Sequence, residues 1–148
     1  MIQRKQTLWF LLAAAVALLA FYIPFGVKNT TSIGSYNINE HVLTAKSDMV
    51  MTIIFILIGL LNLVAIFLFK ERKKQVLLSL LSIFISIAAV AYEIYFANTD
   101  SNKIVFGILG DKAYFGLAIP VVSLIFTYLA NRGVNQDIKL LKETDRLR

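Results

Sequence analysis

Four uncharged apolar runs divide the chain, at about residues 7–25, 49–69, 75–92 and 113–130, with polar connections between them. Each approaches the roughly 20 residues that a helix rising about 1.5 Å per residue needs to cross hydrocarbon. The pattern predicts an all-α fold, a four-helix transmembrane bundle with spans of about 7–25, 49–69, 75–96 and 113–131. Outer loops then fall at 26–48 and 97–112, and a tail occupies 132–148. Spans and connections consume nearly the whole length, so 1–148 forms one membrane domain with no room for a separate soluble core.

Small and polar residues inside the runs predict which faces meet. Lipid tails are as apolar as leucine, so membrane helices associate through close packing of small side chains and through hydrogen bonds. The third run carries Ser79, Ser82, Ser86, Ala89 and Glu93 at intervals of three and four, a single helical stripe. Gly116, Pro120, Ser123, Thr127 and Ala130 repeat that rhythm in the fourth. Ala13, Ala17 and Ala20 form a narrow seam on the first, and Thr52, Gly59, Asn62 and Ile66 share a broad face of the second. Asn62, Ser82, Ser86 and Ser123 come to similar depth, which predicts a midplane polar layer with Asn62 hydrogen-bonded to a serine. As structure, that layer glues helices; as function, it lines a path for an ion or small solute. Asn and Ser satisfy each other without a ligand, so glue is the simpler reading. Pro120 removes one backbone bond and frees the Gly116 carbonyl, which predicts a kink.

Glu93 is the one ionisable side chain within the third span. Carboxylates inside membranes are costly and are functional candidates by default. Its place one turn from the outer end, between Tyr92 and Tyr95, predicts a carboxylate that reaches interfacial water.

Charge sets the orientation. Residues are 58% hydrophobic and only 16% charged, yet the formal net charge is +6. Arg4, Lys5, Lys70, Arg72, Lys73, Lys74, Arg132, Lys139, Lys142, Arg146 and Arg148 fall on one side of a chain that crosses four times. Lys28, Lys46, Lys103 and Lys112 fall on the other, each near an acidic residue. Flanking Lys and Arg mark the cytoplasmic side, so both termini are expected there, in a bacterial inner membrane. The basic excess is then a topology signal and implies no nucleic acid. Trp9, Phe10, Tyr22, Phe25, Tyr92, Tyr95, Phe96, Tyr114 and Tyr128 flank the spans as interfacial anchors. The first run also resembles a secretory signal, but Leu18 stands where cleavage wants a small residue, and Phe21, Tyr22 and Pro24 extend the run; a retained helix is expected.

The connections carry weaker signals. Loop one, with Gly34 available for a turn, suits a short hairpin or an irregular cap over the outer mouth. Its Glu40–His41 pair reads as solvated, and Asn29-Thr30-Thr31 matches a glycosylation sequon only as a pattern. In loop three, residues 104–109 are too short to cross and too apolar to float, so they should skim the interface or pack on the bundle mouth. After Gly133, Val134, Ile138 and Leu141 interleave with charges, which predicts a short amphipathic C-terminal helix on the inner membrane surface or against a partner.

Met1-Ile2-Gln3-Arg4 with Gln6-Thr7, the turn at 70–75, and Leu129-Ala130-Asn131-Arg132-Gly133 with Asp137, Lys139, Leu140 and the closing Asp145-Arg146-Leu147-Arg148 resemble a family of small bacterial four-helix membrane proteins, domain-of-unknown-function family 4293. The resemblance covers essentially the whole chain and is specific at its two ends. It implies four spans with both ends inside, and no activity, ligand or partner. The family's ending also suggests that Asp145, Arg146, Leu147 and Arg148 are recognised by something in the cytoplasm.

Cysteine is absent and His41 is the single histidine, so thiolate metal sites and disulfides are excluded and no cofactor is expected. No Ser–His, Ser–Lys or paired-carboxylate arrangement lies within the spans to move protons or attack a substrate. The expectation is a non-enzymatic structural or partner-binding subunit, its partners the lipid bilayer and a membrane protein or a second copy of itself. The alternative is a small transporter or channel component that uses Glu93 and the polar layer.

Overall fold

The computed structural model describes residues 2–29, 40–97, 102–104, 107–109 and 112–146. Apolar periodicity becomes four helices: α1 (Ile2–Leu19), α2 (Met49–Phe67), α3 (Arg72–Ala97) and α4 (Ile119–Arg146). Each packs on its chain neighbours, and α4 closes the ring on α1. The result is an up-and-down bundle with α1's start, the α2–α3 turn and α4's end together at one end, here the terminal end. The other, the loop end, carries β1 (Gly26–Asn29), β2 (Glu40–Leu43), β3 (Asn102–Ile104), β4 (Gly107–Leu109) and β5 (Lys112–Tyr114). β1 lies between β2 and β3, antiparallel to both, with Gly26 opposite Leu43 and Ile104. This small sheet ties loop one to loop three across the mouth of the bundle, and β4 pairs with β5 as a separate hairpin.

The polarity of the bundle is inverted relative to a soluble protein. Leu60, Leu63, Phe67, Leu77, Phe84, Ile87 and Ile125 are exposed, whereas Asn62, Ser79, Ser82, Ser86, Glu93, Ser123 and Thr127 are buried. Only an apolar solvent makes that arrangement favourable, because exposed Leu and Phe then cost nothing and polar groups must find partners inside. α2, α3 and residues Gly116–Thr144 are each long and apolar enough to cross a bilayer. The chain is a helical membrane protein.

The first expected span, 7–25, is not helical throughout. Its apolar helix, Lys5–Leu19, is shorter than the other three. Backbone bonds from Tyr22 and Ile23 to the Leu19 carbonyl close a turn, after which Pro24 leads into β1. Pro has no N–H to offer and pushes the residue before it toward extended backbone, so the helix cannot continue through it. α1 nevertheless reaches both ends of the bundle, with Phe10 packed among Ala65, Ala130 and Val134 and Ala17 and Ala20 packed among Phe55, Ile58 and Ile119.

The fourth helix also differs at both ends from expectation. Residues 112–114 form β5, a 3-10 turn covers Gly116–Ala118, and α4 begins only at Ile119. The Gly116 carbonyl is not free, since it accepts from the Ile119 N–H. Pro120 therefore sits in the first helical turn, where a missing N–H is harmless, and makes no mid-span kink. At the other end the amphipathic tail is no separate short helix but a continuation of α4 to Arg146. Gly133 does not stop it: a Cβ there would lie 2.9 Å from Gln6 Cγ, so this glycine lets α1 and α4 approach.

Loop one does form a hairpin-like pair, β1 with β2, in which His41 lies opposite Lys28. Gly34, Thr30, Thr31, Val105 and Phe106 lie outside the described residues, as do the side chains of Glu40 and His41.

Candidate functional site

The expected polar layer exists as a connected network at mid-bundle. Asn62 Nδ2 donates to Ser82 Oγ at 2.9 Å and to the Ile58 carbonyl at 2.8 Å. Thr127 Oγ1 lies 3.1 Å from Asn62 Oδ1 and 2.9 Å from the Ser123 carbonyl, so its hydroxyl hydrogen serves either acceptor. Ser86 donates to the Ser82 carbonyl at 2.9 Å, and Ser123 donates to the Ala13 carbonyl of α1 at 3.2 Å. Asn62 thus joins α2 to α3 directly and to α4 through Thr127, while Ser123 adds α1. Thr127 belongs to the network although sequence reasoning placed it only on the α4 stripe. Its hydroxyl is one turn from Ser123, which was the available signal.

The α3 stripe runs as Gln75, Ser79, Ser82, Ser86, Ala89 and Glu93, all buried. Glu93 does not reach interfacial water: it is 1% exposed, and its Oε2 has no hydrogen-bond partner among the described residues. At the same end of α3, Tyr92 stacks on Phe96, Phe25 packs edge-on against Phe96, and Tyr92 Oη donates to Asp48 Oδ2 at 2.8 Å. Asp48 at the same time caps α2, accepting from the Met51 N–H at 3.2 Å. Where an interfacial tyrosine was expected, the structure has a latch between α3 and the start of α2.

A second polar cluster lies at the terminal end. Gln75 Nε2 donates to the Ala65 carbonyl at 3.0 Å across the α2–α3 pair. Arg72 reaches Asp137 of α4, Nη2 to Oδ2 at 3.7 Å and Nη1 to the backbone carbonyl at 3.5 Å. Gln6 is buried against Gly133, its Nε2 without a hydrogen-bond partner among the described residues. Beyond this cluster, Phe69 and the basic turn face Ile138, Leu141 and Lys142 across an open groove of about 810 Å³. None of the mid-bundle polar residues lines it. Asp145 and Arg146 close α4, with their side chains outside the described residues together with Leu147 and Arg148.

Comparison with known proteins adds one finding. A family model described as Domain of unknown function (DUF4293) matches residues 2–147. The chain belongs to this family. No curated protein and no solved structure matches it. In this DUF4293 chain the polar layer binds helices to one another, and among the described residues the buried Glu93 Oε2 stands apart from that network while the charged groove opens at the terminal end.

Proposed function

We propose that this protein is a multi-pass bundle of the bacterial inner membrane, with both termini in the cytoplasm, that serves as a non-enzymatic structural or partner-binding subunit. One observation carries the reading: the polar side chains at mid-bundle are satisfied by one another and by neighbouring carbonyls. A solute path needs polar groups that turn toward a lumen and await a ligand, whereas these are consumed in holding helices together. The part of the protein offered to a protein partner is the cytoplasmic end of α4. From Arg132 to Arg146 the helix runs on for about 20 Å, packed on the bundle through Val134 and Asp137 and exposed from Lys139 to Thr144. Cross-linking in native membranes followed by mass spectrometry tests this: a defined membrane-protein partner or a homo-oligomer is expected, with links on residues 132–148 that disappear when 145–148 are deleted. A protein that cross-links to nothing through that segment contradicts the proposal.

A second reading, a small transporter or channel component, draws on Glu93, whose buried Oε2 lacks a partner among the described residues. Buried, unsatisfied carboxylates in membranes mark ion or proton pathways more often than structural positions. Proton or cation flux into liposomes, abolished by Glu93→Gln, distinguishes it from the first.

A further inference from the structure

The groove at the terminal end has the chemistry of an anionic-lipid site. Five cationic side chains, Lys70, Arg72, Lys73, Lys74 and Lys142, line it against a single carboxylate, Glu71. Two of the five are already in ion pairs: Lys74 pairs with Glu71 at 2.6 Å, and Arg72 is held by Asp137; Lys70 Nζ lies 5.9 Å over the Phe69 ring, a contact that leaves its charge unneutralised. Lys70, Lys73 and Lys142 form no ion pair among the described residues, and they come from the α2–α3 turn, the first turn of α3 and α4. Their convergence places uncompensated positive charge over one depression.

The walls are apolar. Phe69 is 53% exposed and Leu141 49% exposed, and both face the groove with Ile138. Phe69 stands two residues after the exposed Phe67 that ends α2, so the apolar wall continues the hydrocarbon-facing surface of the bundle into the charged rim. A soluble phosphate compound has no use for such a wall. An amphiphile does, with its phosphate among the lysines and the upper part of its acyl chains against Phe69 and Leu141. The volume, about 810 Å³, falls within the roughly 300–1,000 Å³ of ordinary ligand sites. The Arg72–Asp137 contact lies one turn of α4 before Leu141 and fixes the distance between the two walls.

We propose that this groove binds the headgroup of an anionic glycerophospholipid, with Lys70, Lys73 and Lys142 as its phosphate ligands. The site depends on the membrane location of the chain and is independent of any protein partner. Basic pockets between helices at the cytoplasmic face are a recurring solution for such headgroups.

The test uses the full-length protein in detergent with equimolar phosphatidylglycerol and phosphatidylcholine, read by native mass spectrometry. Wild type should retain phosphatidylglycerol preferentially. Lys73→Gln with Lys142→Gln should reduce that preference by about fivefold per lysine, whereas the charge-matched pair Arg132→Gln with Lys139→Gln, outside the groove, should change it by less than about twofold. Equal losses in the two pairs, or none in the first, overturn the site. Inorganic phosphate in millimolar excess should not displace the lipid; displacement would make the groove a site for a soluble phosphate compound and overturn the lipid reading. A photoreactive phosphatidylglycerol supplies a readout without mutation: adducts confined to residues 69–74 and 138–142 are expected, and adducts scattered along the helices overturn the proposal.

Discussion

Asn62 of α2 and Ser82 of α3, twenty residues apart in the chain, meet at 2.9 Å in the buried centre of the bundle. With Thr127 on its carbonyl oxygen and the Ile58 carbonyl on its second N–H, Asn62 is the hub of the network that joins the helices. Interhelical bonds of this kind are worth about 0.6 to 2 kcal/mol each in membranes.

Asn62→Leu removes the hub and leaves the Ser82 hydroxyl without its donor. The expected outcome is a loss of about 1–2 kcal/mol, seen as a lower Tm in detergent. An unchanged or raised Tm would show that the network contributes nothing to assembly.

Two glycines give opposite expectations. At Gly116 an added Cβ would lie 2.5 Å from Phe25 Cβ and 2.8 Å from its backbone, while the Gly116 N–H donates to the Pro24 carbonyl at 3.0 Å. Backbone cannot retreat as a side chain end can, so Gly116→Ala should cost about 1–3 kcal/mol by overpacking. At Gly59 nothing lies within 4 Å of the built Cβ. Gly59→Ala should leave stability unchanged or raise it by up to about 1 kcal/mol through helix propensity. Tm measurements on the two variants side by side check both, and equal effects would contradict the packing described.

Much of this arrangement was legible in the sequence because lipid reverses the usual signal. On α3 and α4 the inward residues are small or polar, so Ser79, Ser82, Ser86 and Ser123 stand out against Leu and Ile. On α2 the same rule holds only in part. Gly59 and Asn62 are buried as expected, but Met51, Phe55, Ile58 and Leu61 share the buried face with them, and Thr52 and Ile66 lie at its margins. Large apolar residues are equally at home against lipid and against other helices, so hydropathy cannot sort them. The burial of Glu93 has a different cause: a position one turn from a helix end reads as exposed in the sequence, and only the assembled helices withdraw it from solvent. The Arg72–Asp137 contact, joining residues 65 apart, carried no local signal either.

Arg72 and Asp137 pin the α2–α3 turn to the C-terminal part of α4. Their side chains are 22% and 9% exposed, so the pair is partly screened by solvent. A double-mutant cycle with Arg72→Gln and Asp137→Asn should return a coupling of about 1 kcal/mol or less, measured by denaturation in detergent. A coupling near zero, together with unchanged proteolytic sensitivity of the tail, would mean that the contact does not hold α4 in place.

Glu93 contains a buried oxygen without a partner among the described residues, and such groups cost about 1–3 kcal/mol relative to an apolar replacement of similar shape. Glu93→Met should therefore raise Tm. A fall in Tm would show that Glu93 is engaged in interactions that support the fold.

The central claim is that α1, despite the short Lys5–Leu19 apolar helix, crosses with the others and leaves both chain ends on one side. The absence of native cysteine makes single-cysteine labelling clean. Lys5→Cys, Lys46→Cys, Lys73→Cys and Lys142→Cys, treated in intact spheroplasts with a membrane-impermeant maleimide, should label at position 46 alone, the other three reacting only after permeabilisation. Labelling of position 5 together with position 46, and not with 73 and 142, would contradict the account.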